Sequence, residues 1–253
     1  MHDPVIVMGM SRSGTTLVAE MVHKGGTPMF SGDLDPQYDR GIKYERPLCH
    51  DINLQIFGRE GDDKGMGTIW SLWKLPLQSI SKANLEKLEA EVGDAPWGFK
   101  DPRTTLTYTK WCEVFPGGAR IYVYRDHAEV LRHRLYTGEP LRKRLKKMRR
   151  AVEAWTEYNG SLIANLEADR QAGRPAVLVR YEELMVQDDL VRLMSQAVGI
   201  PLFDARNPKM RRNKVTGFKD AFLCRAASLG YEARLQTLYE KLGALRLKSS
   251  ESV

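Results

Sequence analysis

Cysteine is scarce. Only three occur in 253 residues, Cys49, Cys112 and Cys224, far apart and in no metal-ligand or redox spacing. Such a sparse, odd count argues against a disulfide framework and for a reducing compartment, so a cytoplasmic protein is expected. The five histidines form no HExxH pattern, and no metal site is expected. No apolar run approaches the length needed to cross a bilayer. The opening MHDPVIV has no basic segment followed by an apolar block and a small-residue cleavage site, and no signal peptide is read. Internal repeats and dividing linkers are also missing, which favours a single domain over residues 1–253.

What remains is ordinary for a soluble globular protein, 42% hydrophobic and 28% charged. The net charge of +7 favours anionic ligands without choosing among them. VIVMG is a short β-rich run, and TTLVAEMVHK behind it reads as a helix with Leu17 and Met21, flanked by Val18 and Val22, facing inward. RIYVYR (120–125) and AVLVRY (176–181) are nearly continuous apolar runs, as in strands covered on both faces. Helix-like HAEVLRHRL and DDLVRLMSQAV follow them. WGFK reads as one more short strand, with TTLTYTKWCEVF as its helix. Alternation of this kind predicts an α/β fold with a central parallel sheet flanked by helices. Between the first unit and Trp97 the pattern weakens, apart from a surface helix at NLEKLEAEV; GREGDDKGMG reads as a loop.

From Leu141 to about Leu166 the spacing predicts one long helix, with Leu141, Leu145, Met148, Val152 and Trp155 on its apolar stripe. Arg142, Lys143, Arg144, Lys146, Lys147, Arg149 and Arg150 occupy its other faces. No aromatics interleave with these cations, so a solvated face is preferred to a nucleic-acid patch.

The most informative stretch is GMSRSGTTL. Gly9 and Gly14 frame four residues in the outline of a phosphate-binding loop. Thr15 stands where a nucleotide triphosphatase needs lysine, and Arg12 lies inside the loop. Backbone N–H groups of such a loop converge on an anion at a helix N-terminus. Ser13, Thr15 and Thr16 add hydroxyl donors, and Arg12 adds a planar fork of donors. Without the lysine the contact to β- and γ-phosphates is lost, so the ligand should carry one phosphate here with a reactive group beyond it.

At these residues the chain resembles the sulfotransferases that use 3′-phosphoadenosine 5′-phosphosulfate (PAPS), in their bacterial and glycan-type branch with a P-loop-like fold. SRSGTTL is similar to their 5′-phosphosulfate loop, and WGFKDPRTTL to a Lys-Asp-Pro-Arg segment. IYVYRDHAEVLRHRL resembles the 3′-phosphate motif, while AWTEYN and VLVRYEELM resemble a Trp–Tyr–Asn helix and an Arg-Tyr-Glu-Asp-Leu strand end. The resemblance implies that Arg12, Ser13, Gly14, Thr15 and Thr16 bind the 5′-phosphosulfate, Arg125 the 3′-phosphate and Tyr181 the adenine. His133 replaces the serine that shares the 3′-phosphate in many relatives, and His127 replaces a proline. Arg211, Arg212 and Lys214 in KMRRNK lie near the place of a C-terminal Arg-Lys-Gly motif.

The reaction so implied moves a sulfuryl group from PAPS to an acceptor hydroxyl by in-line displacement and releases 3′,5′-adenosine bisphosphate. Arg12 and then Lys100 are the candidates for the charge on the leaving oxygen. GIKYE resembles a Gly-aromatic-Glu segment of bacterial relatives and makes Glu45 the first candidate for general base, with Asp33, Asp35 and His50 as alternatives. A sugar or other small-molecule alcohol is the expected acceptor, held by an irregular region at about 27–97 in which Trp70 and Trp73 are stacking candidates. A peptide tyrosine or a lipid head group stands behind it.

Structural readings accompany each site. Tyr181 can be a strand-end aromatic, and Arg125 a surface partner of Asp126 or Glu129. Lys100, Asp101 and Arg103 can form a turn with an internal salt bridge, the reading preferred for Asp101. A nucleotide-dependent kinase on the same loop, or a non-catalytic polyanion binder, are the alternative functions.

Overall fold

Four short strands end at or just before the residues singled out above. In the computed structural model, which describes residues 1–30, 44–59, 69–132, 140–207 and 218–249, they are β1 (Val5–Met8), β2 (Gly98–Lys100), β3 (Arg120–Tyr124) and β4 (Ala176–Arg180). Rich in β-branched and aromatic residues, they pair in parallel in the order β2-β1-β3-β4. Val7 lies opposite both Lys100 and Ile121, and Tyr124 opposite Arg180, so all four strands end along one edge.

Side chains alternate across the sheet, and both faces are covered. Ile6, Met8, Phe99, Tyr122 and Leu178 face one core with α4 (Thr104–Val114) and α6 (Leu141–Gln171). Val7, Ile121, Val123, Val177 and Val179 face the other, with α1 (Thr15–Lys24) and α8 (Leu190–Val198). From β1 the chain crosses to β2 on one side, and from β3 it crosses to β4 on the other. Crossovers of one hand then put α1 and α6 on opposite faces. The order reverses between β1 and β3, where an open α/β sheet leaves a crevice for ligand at its carboxyl edge.

The remaining elements buttress that edge. α2 (Pro47–Ile56) opens with proline at its first turn, α3 (Lys82–Val92) is the expected surface helix, and Ile69–Lys74 forms a 3₁₀ turn. α5 (His127–Arg132) and the short α7 (Tyr181–Leu184) begin just beyond β3 and β4. α9 (Phe218–Ser228) and α10 (Glu232–Leu245) pack on α6. Neither they nor α2 was expected from sequence. The long helix continues to Gln171, and its expected stripe is truncated: Leu141 is 56% exposed, because contacts begin only at Leu145 and Met148. In α1, Ala19 and Thr15 are buried while Leu17 is only partly covered.

At the opposite end of the sheet a polar network fastens β3 to α4 and α6. Asp169 is fully buried and accepts from the hydroxyls of Tyr108 and Tyr122, both at 2.5 Å, and from Arg174 at 3.0 Å. Arg120, also fully buried, donates to Tyr108 Oη and to the carbonyls of Pro4 and Phe115. Each buried polar group finds a partner, which is what makes such burial tolerable.

Candidate active site

The loop from Gly9 to Gly14 is shaped by close approaches that exclude side chains. A Cβ on Gly9 would stand 2.2 Å from the Val123 carbonyl oxygen, and one on Gly14 2.0 Å from the Tyr181 ring. Arg12 has φ 73°, a conformation costly for a residue with a Cβ and common at ligand sites. Gly9 N–H donates to Thr105 Oγ1 at 3.0 Å, which ties the loop to α4. Gly14, with φ 96°, is the N-cap of α1 and supplies no side-chain cap, so the first-turn N–H groups face the loop uncapped. Ser13 is 1% exposed, and its Oγ has no hydrogen-bond partner among the described residues.

Arg125, just past β3, reaches this loop. Its Nη1 points at the Arg12 carbonyl oxygen at 3.5 Å, and its guanidinium lies 4.6 Å from the centroid of the Tyr181 ring. Glu129 and Glu182 each approach it to 3.6 Å, too far for a good hydrogen bond, and its buried Nε has no hydrogen-bond partner among the described residues. Asp126, the other expected partner, faces Arg180 instead, at 3.9 Å. Tyr181 is thus stacked between Arg125 and Gly14 rather than merely covering the sheet. Behind Arg125, Trp155 Nε1 donates to its carbonyl at 2.9 Å.

His127 is tied to two helices. Its backbone N–H donates to Tyr239 Oη at 2.9 Å, and its ring Nδ1 and Nε2 lie 2.6 Å from that hydroxyl and 3.3 Å from Ser228 Oγ. Burial lowers its pKa, opposed by Asp126. α9 and α10 are thereby anchored to the segment that carries Arg125.

A second group gathers beside β2. Lys100, 1% exposed, donates to Glu45 Oε1 at 2.5 Å. Burial pushes the Glu45 carboxyl up, and Lys100 only partly offsets this. Asp101 accepts from Arg103 N at 2.8 Å and from its Nη1 at 3.1 Å, which is the internal salt bridge expected of that turn. Arg103 Nη1 also lies 3.3 Å from His50 Nδ1. Guanidinium can only donate, so Nδ1 accepts and the proton sits on Nε2. His50 therefore offers an N–H rather than a lone pair. Donor atoms of Glu45, His50 and Asp101 lie within 4.8 Å of one another, but Lys100 and Arg103 already meet the two carboxylates.

The structure brings the loop residues, Arg125 and Tyr181 into one cluster, and Lys100 with Glu45 into another, on adjacent strand ends. Trp73 packs against the core and is partly buried. Asp33, Asp35, His133, Arg211, Arg212, Lys214 and the Trp70 side chain lie outside the described residues. Missed in the sequence were Arg180, Glu182 and the His127–Tyr239–Ser228 chain. Arg180 and Glu182 pair with each other two positions apart, but their contacts with Asp126 and Arg125, like those of the His127 chain, join distant segments that no local spacing flags. Arg46 was missed as well: it is buried over the Trp97 ring and paired with Glu91.

A profile of the sulfotransferase family matches residues 4–204. The chain belongs to this family. Among solved structures it is similar to sulfotransferase STF9 from Mycobacterium avium, at 17% identity and TM-score 0.52, covering 98% of this chain and 78% of that one. It is also similar to sulfotransferase STF1 from Mycobacterium tuberculosis H37Rv, at 12% identity and TM-score 0.43, covering 97% and 77%. STF9 shares the sulfotransferase fold; STF1 is too remote to add to that. No curated protein sequence matches. Sulfuryl transfer is the family's reaction, and among the described residues no helix is long and apolar enough to cross a membrane.

Proposed function

We propose that the chain transfers a sulfuryl group from PAPS to a hydroxyl of a sugar or other small-molecule alcohol, releasing 3′,5′-adenosine bisphosphate. One observation carries this reading. Two buried polar atoms without hydrogen-bond partners among the described residues, Ser13 Oγ and Arg125 Nε, belong to residues that converge on one glycine loop. Buried donors stay unpaired at a cost, and an anion with phosphate groups at two ends satisfies both. The residues present fit such a ligand.

When bound, PAPS supplies a sulfuryl group already activated by its phosphate leaving group. In this reading Arg12, Ser13, Gly14, Thr15 and Thr16 hold the 5′-phosphosulfate, helped by the uncapped start of α1. Arg125 holds the 3′-phosphate, a role His133 is proposed to share, and Tyr181 lines the adenine site. The acceptor lies over the region 27–97. Glu45 takes the acceptor's proton on a carboxylate that burial has made more basic than an exposed one. Neutralising Glu45 then releases the Lys100 ammonium from its ion pair toward the leaving oxygen. The Nε2–H tautomer of His50 suits it to donate a hydrogen bond rather than to act as base, which supports Glu45. The three free cysteines support a cytoplasmic setting.

The test is thermal denaturation with 3′,5′-adenosine bisphosphate, ATP–Mg²⁺ or an oligonucleotide, then a scan of alcohols with PAPS that follows bisphosphate release. Stabilisation by the bisphosphate alone is expected, since a ligand bound only by the native state raises its apparent stability. Stabilisation by ATP–Mg²⁺ instead would replace the reading with a kinase, and by the oligonucleotide alone with a polyanion binder.

A further inference from the structure

One surface lies outside everything the proposed reaction uses. The first turns of α6 carry Arg142, Lys143, Lys146, Arg149 and Arg150 at exposed positions, with no Asp or Glu from Leu141 to Val152. The first carboxylate on the helix, Glu153, pairs with Lys74 at 3.2 Å, and the next, Glu157, with Arg234 at 2.9 Å. These cations crowd the N-terminal end, where the helix dipole disfavours them, and that end has neither an acidic residue in its first turn nor a side-chain cap. The arrangement works against the helix, so its use lies elsewhere.

α9 extends the same surface. It buries Leu223, Cys224 and Ala227 and turns Phe222 and Arg225 outward, with Leu229 exposed in the turn just past its end. Phe222 is 64% exposed and Leu229 56%. The Arg149 guanidinium lies 5.9 Å from the Tyr231 ring, and its Nη2 is 3.8 Å from where a Cβ of Gly230 would stand. The turn that carries Leu229 therefore meets the cations of α6.

We infer that this α6–α9 face docks on an anionic phospholipid bilayer. Cations at this density lie level with lipid phosphates, while Phe222 and Leu229 enter the boundary between head groups and acyl chains. A second copy of the chain would be repelled by the same charges, and a phosphodiester polymer gains nothing from the two apolar side chains. The inference is independent of the sulfuryl donor.

The test is co-sedimentation of the full chain with phosphatidylcholine vesicles, with and without about one-quarter phosphatidylserine. Binding to the anionic vesicles alone is expected, and it should weaken as salt rises. Replacing Lys143, Lys146 and Arg150 together by Gln should lower partitioning roughly a hundredfold, about fivefold for each cation. The pair Phe222→Ser and Leu229→Ser, on exposed side chains, should remove the binding that survives high salt. Equal binding to neutral vesicles, or none to anionic ones, overturns the inference. So does duplex DNA that binds more tightly than the vesicles and ignores the Phe222 and Leu229 changes.

Discussion

Burial lifts the Glu45 carboxyl above the ordinary carboxylate value of 4.5, while the Lys100 ammonium against it pulls the other way. A base of this kind is active when deprotonated, so turnover should fall as pH drops through a value above the usual range. Glu45→Gln should leave 3′,5′-adenosine bisphosphate affinity intact and cut turnover by about 10²–10⁴-fold, with the acid limb gone. A variant of normal rate would hand the role to Asp33 or Asp35. The two arginines should separate kinetically. Arg12→Ala should lose turnover by roughly 10²–10³-fold, whereas Arg125→Ala should raise KM for PAPS more than it lowers kcat. Undiminished preference for PAPS over its analogue lacking the 3′-phosphate would remove Arg125 from that site. At this scale the sequence was legible where structure is local: Arg12 and Ser13 lie in one glycine loop and Thr15 opens the helix behind it. The Lys100–Glu45 pair was not legible as a pair, since its members are 55 positions apart.

Elements place these groups through contacts that tolerate little change. Gly14→Ala would drive a methyl group into the Tyr181 ring at a φ that disfavours any Cβ. The expected result is a folded enzyme whose affinity for the bisphosphate falls at least tenfold by calorimetry, the equivalent of about 1.4 kcal/mol. Unchanged affinity would mean that Tyr181 and the loop do not act together. The anchor between α5 and α10 should respond to pH. Burial lowers the His127 pKa below its ordinary 6.5, so the folded state binds the proton less readily than the unfolded chain does. The stability it contributes is present above 6.5 and is lost as pH falls below that value. Melting temperature should decline over this window, and His127→Gln should flatten the decline. The strands were readable because a buried parallel strand is a continuous apolar run. α2, α9 and α10 were not, because their faces are defined by neighbours that only folding supplies.

The whole molecule depends on a polar cluster far from the chemistry. Asp169 joins Tyr108, Tyr122 and Arg174, one step from Arg120, at the end of the sheet opposite the glycine loop. Asp169→Ala would leave two tyrosine hydroxyls buried without their acceptor, and should destabilise the fold by about 3–5 kcal/mol in urea denaturation. Activity per folded molecule should persist, and a specific loss of turnover would show that the two ends of the sheet are coupled.

Local order in the chain determined the strands and the glycine loop, because backbone geometry and hydrophobic period act over a few residues. Only the folded sheet decided that Arg125 reaches the Arg12 carbonyl across 113 positions, and that Tyr181 lies between Arg125 and Gly14. It likewise decided that Lys100 meets a buried glutamate and that Phe222 is left facing outward beside a basic helix. Those outcomes follow from strand order and burial, which arise from the packing of distant segments and leave no periodic trace along the chain.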